Sequence, residues 1–354
     1  MDAPLDSTPV SSIDEAIRLT APGTALRHAL DMIIAGNLGA LICVGDSKKV
    51  LEAGNDGFPL NISFTANRLF ELSKMDGAIV IDRDLTQIMR ANFHLNPDPS
   101  LPTTETGMRH RTAARMSLLT NAMVISVSER RQVVHIYFRG ESYQLRTVAE
   151  LTARVSQLLA TLQTTRQALD RSLLRLTSLE LDNYVTLADI ANIYSQFELL
   201  MVTDEHLQDY IAQLGCDGRT VEMQRMQLIG DMDNEYSLMI RDYASDSSIE
   251  AAQRIRKRFS ELSAKNELDI KNIASVLGYP DRREDNVMVP LGLRTLSRIS
   301  VVREGMADKI VDEYGSLQDL LDDIKQNPER LDEIGVRNSM ILADSLLKMH
   351  ERQQ

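Results

Sequence analysis

Asp76-Gly77-Ala78 leads straight into the apolar run Ile79-Val80-Ile81, so a carboxylate stands at the mouth of a strand beside a residue that lets a ligand approach the backbone. One Asp in such a place can hold Mg2+ while the phosphates of a nucleotide complete the oxygen shell. Further along, Thr103 to Arg115 passes from a polar loop into a predicted helix with Thr106 at its N-cap. Free backbone N–H groups at a helix start attract anions, and Arg109 and Arg111 add guanidinium groups that grip phosphate oxygens. These cations oppose the helix dipole, an arrangement that a bound phosphate relieves. His110, between two cations, should hold its own proton weakly, which suits a neutral hydrogen-bond partner for phosphate or ribose. Taken alone, the first segment reads more often as a solvated turn and the second as a solvated basic helix start; together in one domain they point to a triphosphate and its metal.

The surrounding pattern supplies elements to carry these residues. Leu38 to Val44, Gly77 to Ile81, Gln87 to Phe93, Met123 to Val127 and Val133 to Phe138 read as strands, and Ala25 to Ile34, Ala66 to Leu72 and Arg109 to Thr120 as helices. This alternation predicts a mixed-sheet α/β domain over residues 1–147. From Val148 the texture turns helical, with breaks at Asp182-Asn183, Gly215 to Gly218, Asp246 to Ser248 and Gly278 to Pro280, giving a central helical spine over 148–286. Asp281 to Asn286 reads as a linker. Residues 287–354 hold short helices with clipped turns, resembling a helix-hairpin-helix domain.

The 354 residues, 43% hydrophobic and 25% charged, suit two or three folded domains. The two cysteines, Cys43 and Cys216, are too few for a disulfide framework or a Cys-based zinc site, and a reducing, cytoplasmic setting follows. No apolar run long enough for a membrane span or a signal peptide is visible, so no membrane partner is expected. The net charge of -12 is concentrated in the middle, where residues 148–289 hold 15 basic against 23 acidic side chains. No Ser-His-Asp order, His-x-x-x-His helix or Lys-containing phosphate loop occurs.

Asp76-Gly77-Ala78 and Arg109-His110-Arg111 resemble the two signature motifs of the diadenylate cyclase family, at a spacing that family shows. The linking run Ala91 to Pro99 with Thr106-Gly107, and the early segment Gly39-Ala40-Leu41-Ile42, extend the resemblance over most of residues 20–145. The three-part order is similar to that of the DNA-scanning members of the family rather than its membrane-bound ones. The resemblance implies ATP as substrate, Mg2+ or Mn2+ as cofactor, cyclic di-AMP as product, a homo-octamer, and branched, Holliday-junction-like DNA bound through the C-terminal domain in a bacterial nucleoid. It implies that Asp76 holds the metal, that Arg109, His110 and Arg111 bind the triphosphate and act in catalysis, that Gly77, Ala78 and Leu95 contact the nucleoside, and that Met108 and Thr112 flank the phosphate grip.

Two departures stand out. Met108 occupies a position where relatives commonly carry a small polar residue such as Thr. In the last domain, Ile334-Gly335-Val336 fits the apolar-Gly-apolar-Gly turn, but Arg337 stands in place of the second Gly. Arg294, Arg298, Arg303 and Arg337, with the Gly335 backbone, form the expected DNA contacts. The competing expectation is a DNA-binding scaffold that senses ATP or cyclic di-AMP without making it; a third is a nucleotidyltransferase with another acceptor.

Overall fold

The computed structural model describes residues 12–303, 305–327, 330–333 and 339–351. It comprises two compact units, Met1–Gln157 with Gln208–Met223, and Leu158–Leu207 with Gln224–Gln354.

The first unit is built on a mixed sheet of eight strands: β1 (Ala40–Val44), β2 (Gly54–Asn55), β3 (Phe58–Ser63), β4 (Ala78–Ile81), β5 (Gln87–Leu95), β6 (Met123–Ser128), β7 (Val133–Phe138) and β8 (Glu141–Leu145). Their order is β2-β5-β4-β1-β6-β7-β8, with β3 also paired to β5. β1 and β4 run parallel at the centre and the other pairs are antiparallel.

Both central strands are buried throughout, and the period of two along a strand divides their side chains between two cores. Ala40, Ile42, Val44, Ile79, Ile81, Ile125, Val127 and Ile136 face one core. That core is closed by α1 (Ile13–Leu19), α2 (Ala25–Ala35) and α4 (Ala66–Leu72), whose first turns are capped by Ser12, Thr24 and Thr65. Leu41, Cys43, Ala78, Val80, Phe93, Val124 and Tyr137 face the other, with Val50 of α3 (Ser47–Glu52) and Ala113 and Met116 of α5 (Met108–Leu119). Burial pushes the Cys43 thiol up to about 12, so it packs as a small hydrophobe.

The five strands and three helices expected in this unit are all present. β2, β3, β8, α1 and α3 were not foreseen. β3 is a largely exposed edge with little apolar alternation, whereas β8 follows β7 through Arg139 and Gly140, both at positive φ, as a two-residue hairpin.

The remaining helices are α6 (Val148–Leu181), α7 (Leu187–Leu214), α8 (Arg219–Ile229), α9 (Met232–Tyr243), α10 (Ile249–Ala264), α11 (Ile270–Leu277), α12 (Leu293–Ser297), α13 (Met306–Tyr314), α14 (Leu317–Gln326), α15 (Arg330–Glu333) and α16 (Ser339–Glu351). Gly215–Gly218, expected as a break, forms a short 3-10 turn. The charged stretch expected as a linker is tied down: the N–H groups of Leu187 and Ala188 donate to the carbonyls of Asn286 and Glu284, and Thr186 bridges Val287. In the second unit Tyr194, Phe197, Tyr236 and Phe259 pack ring against ring, and α12, α13, α14 and α16 share an apolar core around Leu296, Ile310, Leu321 and Leu346.

Candidate active site

The β4–β5 pairing explains how Asp76 is presented. Ala78 pairs with Phe93 and Val80 with Arg90, so β5 carries one residue more than β4 between these pairs, and Asn92 takes up the bulge at φ 52°. The Asn92 amide donates to the Asp76 carbonyl at 2.9 Å. Gly77 sits at φ +86°, and a Cβ there would lie 2.8 Å from the Asn92 carbonyl carbon and 2.9 Å from the Phe93 nitrogen. Only glycine fits that turn, and the turn leaves the Asp76 side chain exposed above the strand.

Across the sheet, α5 starts on Gly107 rather than Thr106, and no side chain closes its first turn. Its N–H groups are therefore open to a ligand. The Arg109 side chain passes directly over Gly39, just before β1; a Cβ on Gly39 would collide with the guanidinium.

These parts line one cleft of about 990 Å³, a size that accommodates a nucleotide. Asp76, Gly77, Ala78, Leu95, Met108, Arg109, His110 and Thr112 all contribute to its wall. Met108 is 77% exposed at the rim. Arg111 is the exception among the expected phosphate ligands: it is exposed and lies off the cleft. The reason is helical period, since two residues along an α-helix are turned about 200° apart, so Arg109 and Arg111 cannot point the same way. In its place the β6–β7 turn brings Arg130, with Ser128 and Glu129. That turn belongs to neither motif and carries no distinctive spacing, which is why the sequence did not mark it.

Asp76 and Glu129 are the carboxylates on the cleft wall, and among the described residues no group of three or more His, Cys, Asp or Glu gathers to hold a metal unaided. That donor set fits Mg2+, which is held by one or two carboxylates and substrate phosphates rather than by a full protein cage.

Behind the cleft, His110 Nδ1 lies 2.9 Å from the Tyr137 hydroxyl, which donates to Glu105 Oε1 at 2.9 Å. His135 packs edge-on against His110 with ring centres 5.0 Å apart. Burial holds both imidazoles below the usual histidine range; for His110, Glu105 pulls the other way while Arg131 and Arg109 add to the depression. The sequence anticipated the direction for His110 but ascribed it to the flanking arginines, whereas desolvation leads. Burial and the Glu105 partner raise the Tyr137 hydroxyl, which stays a donor.

The expected DNA contacts are corrected in part. Arg294 is 0% exposed: its guanidinium donates to Glu180 and to Thr177 Oγ1 at 3.0 Å, so it is a core ion-pair partner and offers nothing to a DNA phosphate. Burial works against its charge, and Glu180, Glu235 and Asp242 outweigh that cost. Helix α12 is short and turns Arg294 inward because Glu180 and Asp242 occupy the core there. Arg298 donates to Glu235 at 2.6 Å and remains partly exposed, and Arg303 is exposed. Gly335 and Arg337, with the turn they were expected to form, lie outside the described residues.

Two family models match: the DisA bacterial checkpoint controller nucleotide-binding region over residues 27–142 and the DisA bacterial checkpoint controller linker region over 145–286. The chain is similar to the DNA integrity scanning proteins DisA of Carboxydothermus hydrogenoformans (34% identity, covering 95% of this chain and 96% of that protein), Acetivibrio thermocellus (35%, 98% and 97%) and Corynebacterium glutamicum (37%, 95% and 93%). Among the described residues, no helix is long and apolar enough to cross a membrane.

Proposed function

The chain belongs to the DisA family, and from that premise we propose that it is a diadenylate cyclase, condensing two ATP into cyclic di-AMP and two pyrophosphates, and that it couples this activity to DNA scanning. The observation that carries the reading is the single cleft that gathers Asp76, Gly77 and Ala78 from the head of β4 with Gly107 to His110 from the open start of α5.

The product is two-fold symmetric, so the simplest catalyst faces two identical cleft-bound ATP molecules across an isologous interface, as in a homo-octamer built from such pairs. Each 3'-hydroxyl attacks the opposite α-phosphate, the O3'–P bond forms as the P–O bond to pyrophosphate breaks, and the hydroxyl proton passes to water. Asp76 orients that hydroxyl and would hold the divalent ion, which when bound supplies charge neutralisation at the phosphates. Arg109 and Arg130, with the open N–H groups of α5, bind the triphosphate and offset charge growing on the leaving group. Leu95, Gly77 and Ala78 seat the nucleoside, and Thr112 and Met108 border the phosphates.

Branched DNA is assigned to the C-terminal helices, through Arg298, Arg303, Arg337 and the Gly335 backbone, in a cytoplasmic, nucleoid-associated protein. The test is direct: pure protein with ATP and Mg2+ or Mn2+ should yield cyclic di-AMP and pyrophosphate. ATP binding with no product would favour a nucleotide-sensing scaffold, and linear or mixed adenylylated products would favour another acceptor.

A further inference from the structure

Between α6 and α7 the chain makes a turn that holds one aromatic ring out in solvent. Asn183 takes the left-handed conformation at φ 58°, the Tyr184 N–H donates to the Leu179 carbonyl at 2.9 Å, and the Asn183 N–H donates to the Glu180 carbonyl at 3.3 Å. This is a Schellman closure of α6, which commonly tucks the residue in the place of Tyr184 against the last turn of its helix. Here that side chain is 71% exposed.

From Tyr184 the chain runs into a short antiparallel ribbon. Thr186 pairs with Val287, flanked by the Met288 N–H donating to the Val185 carbonyl at 2.8 Å and the Leu187 N–H donating to the Asn286 carbonyl at 3.0 Å. Side chains alternate along such strands, so Val185 and Met288 point inward and are buried, while Tyr184, Val287 and Val289 share the outer face. Val287 and Val289 are 49% and 51% exposed, so the face expected to be polar carries a tyrosine and two valines.

Val289 leads straight into the C-terminal helices: the Pro290 carbonyl accepts the Leu317 N–H of α14 at 3.1 Å, and α12 follows, closing on Arg298. The outer face of the ribbon therefore borders the helices assigned to DNA. The charges beside it in the sequence, Arg282 and Arg283 against Asp182, Glu284 and Asp285, form no positive patch, so it cannot hold a duplex by its phosphates. What it offers is apolar and aromatic surface. A duplex keeps its base faces stacked inside and presents them to such a surface only where stacking is broken, at ends and branch points.

We propose that Tyr184, with Val287 and Val289, is a wedge that stacks on the base pair laid open at a DNA branch point, while Arg298 and Arg303 hold the phosphates. The inference rests on the DNA reading of the C-terminal helices and adds to it the element that tells branched from linear duplex.

The experiment compares a four-way junction with a linear duplex whose ends are closed by hairpins, so that the branch point is the one place where base faces are open. Binding to the full chain is followed by fluorescence anisotropy over a range of salt, for wild type, Tyr184→Ala and Tyr184→Phe, each with its melting temperature as a check on folding. Wild type should prefer the junction. Tyr184→Ala should lose about tenfold in junction affinity, the size of one base–aromatic stack, with its salt slope and its linear-duplex binding unchanged. Tyr184→Phe should keep the wild-type affinity. A 2-aminopurine at the branch point, quenched by stacking on a ring, should be dimmer in the saturated wild-type complex than in the Tyr184→Ala complex.

Equal junction affinity and equal emission for wild type and Tyr184→Ala overturn the wedge, and a junction preference by wild type in that case leaves the DNA reading standing. A smaller assembly of that variant by sedimentation velocity, with junction binding intact, would give the face to a second copy of this chain instead. Affinity lost together with a lower salt slope, and lost equally in Tyr184→Phe, would make the hydroxyl a phosphate contact and also overturns the wedge. Absence of junction binding by wild type at low salt sinks both the wedge and the DNA reading.

Discussion

A Cβ at Gly39 would occupy space that the Arg109 guanidinium fills, and it would also press to 3.3 Å from the Val127 carbonyl. Gly39→Ala should therefore displace the guanidinium proposed to grip phosphate without unfolding the sheet, and cyclisation should fall about tenfold or more, equivalent to about 1.4 kcal/mol of lost transition-state binding; steady-state kinetics beside an unchanged melting temperature would check it. Asp76→Asn keeps the shape of the side chain but removes the charge that would hold a divalent ion, so synthesis should be lost while ATP binding stays measurable by calorimetry. Synthesis at an undiminished rate would remove Asp76 from its role. Asp76 and Arg109 were legible in the sequence, because a DGA turn before an apolar strand and a basic helix start are local patterns. Arg111 lies off this chain's cleft for an equally local reason: a helix turns alternate residues apart, so neighbours in a motif need not line one wall. Tyr137 and Glu105 were not legible, since their contact joins a loop to a strand 32 residues on, and neither residue type is rare in its setting.

Among elements, burial decided what the sequence revealed. β1, β4 and β6 are almost wholly buried and stand out, whereas β3 alternates weakly at an exposed edge and β8 owes its existence to the Arg139-Gly140 turn. Helix α12 shows the opposite error. Arg294 was expected among the DNA contacts, yet it donates to Glu180, as do Thr295 and, at 2.7 Å, Tyr243. Asp242 meanwhile accepts the N–H groups of Gly292, Leu293 and Arg294 at 2.9, 2.6 and 2.9 Å, closing the start of α12, while burial raises its affinity for a proton. Removing Glu180 leaves a guanidinium in the core with its main partner gone, so Glu180→Ala should destabilise the second unit by about 3–5 kcal/mol. Urea unfolding followed by far-UV circular dichroism would measure the loss. A change below about 1 kcal/mol would mean that Glu235 and Asp242 suffice to hold Arg294.

At the scale of the whole molecule, the C-terminal helices offer fewer cations to DNA than the sequence suggested, because Arg294 is buried and Arg298 is shared with Glu235. Arg303→Ala should weaken branched-duplex binding across all sequences and lower the salt slope by about one, the signature of one lost phosphate contact. Cyclisation should be untouched without DNA, as Arg303 lies outside the unit that holds the cleft. The pairing of two clefts makes a stricter demand. In the proposed mechanism each chain contributes one ATP and one Asp76, so both rounds of transfer would need two intact chains facing each other. If wild-type and Asp76→Asn chains are co-expressed in equal amounts and pair at random, about a quarter of the pairs carry two intact sites. Cyclic product per total protein should then fall to about a quarter of the wild-type value, below the half expected for chains acting independently. Mixed pairs complete at most one transfer, so a linear dinucleotide should accumulate in the mixture and in neither parent. Product at half the wild-type level, with no linear species, would mean that each cleft completes the ring alone.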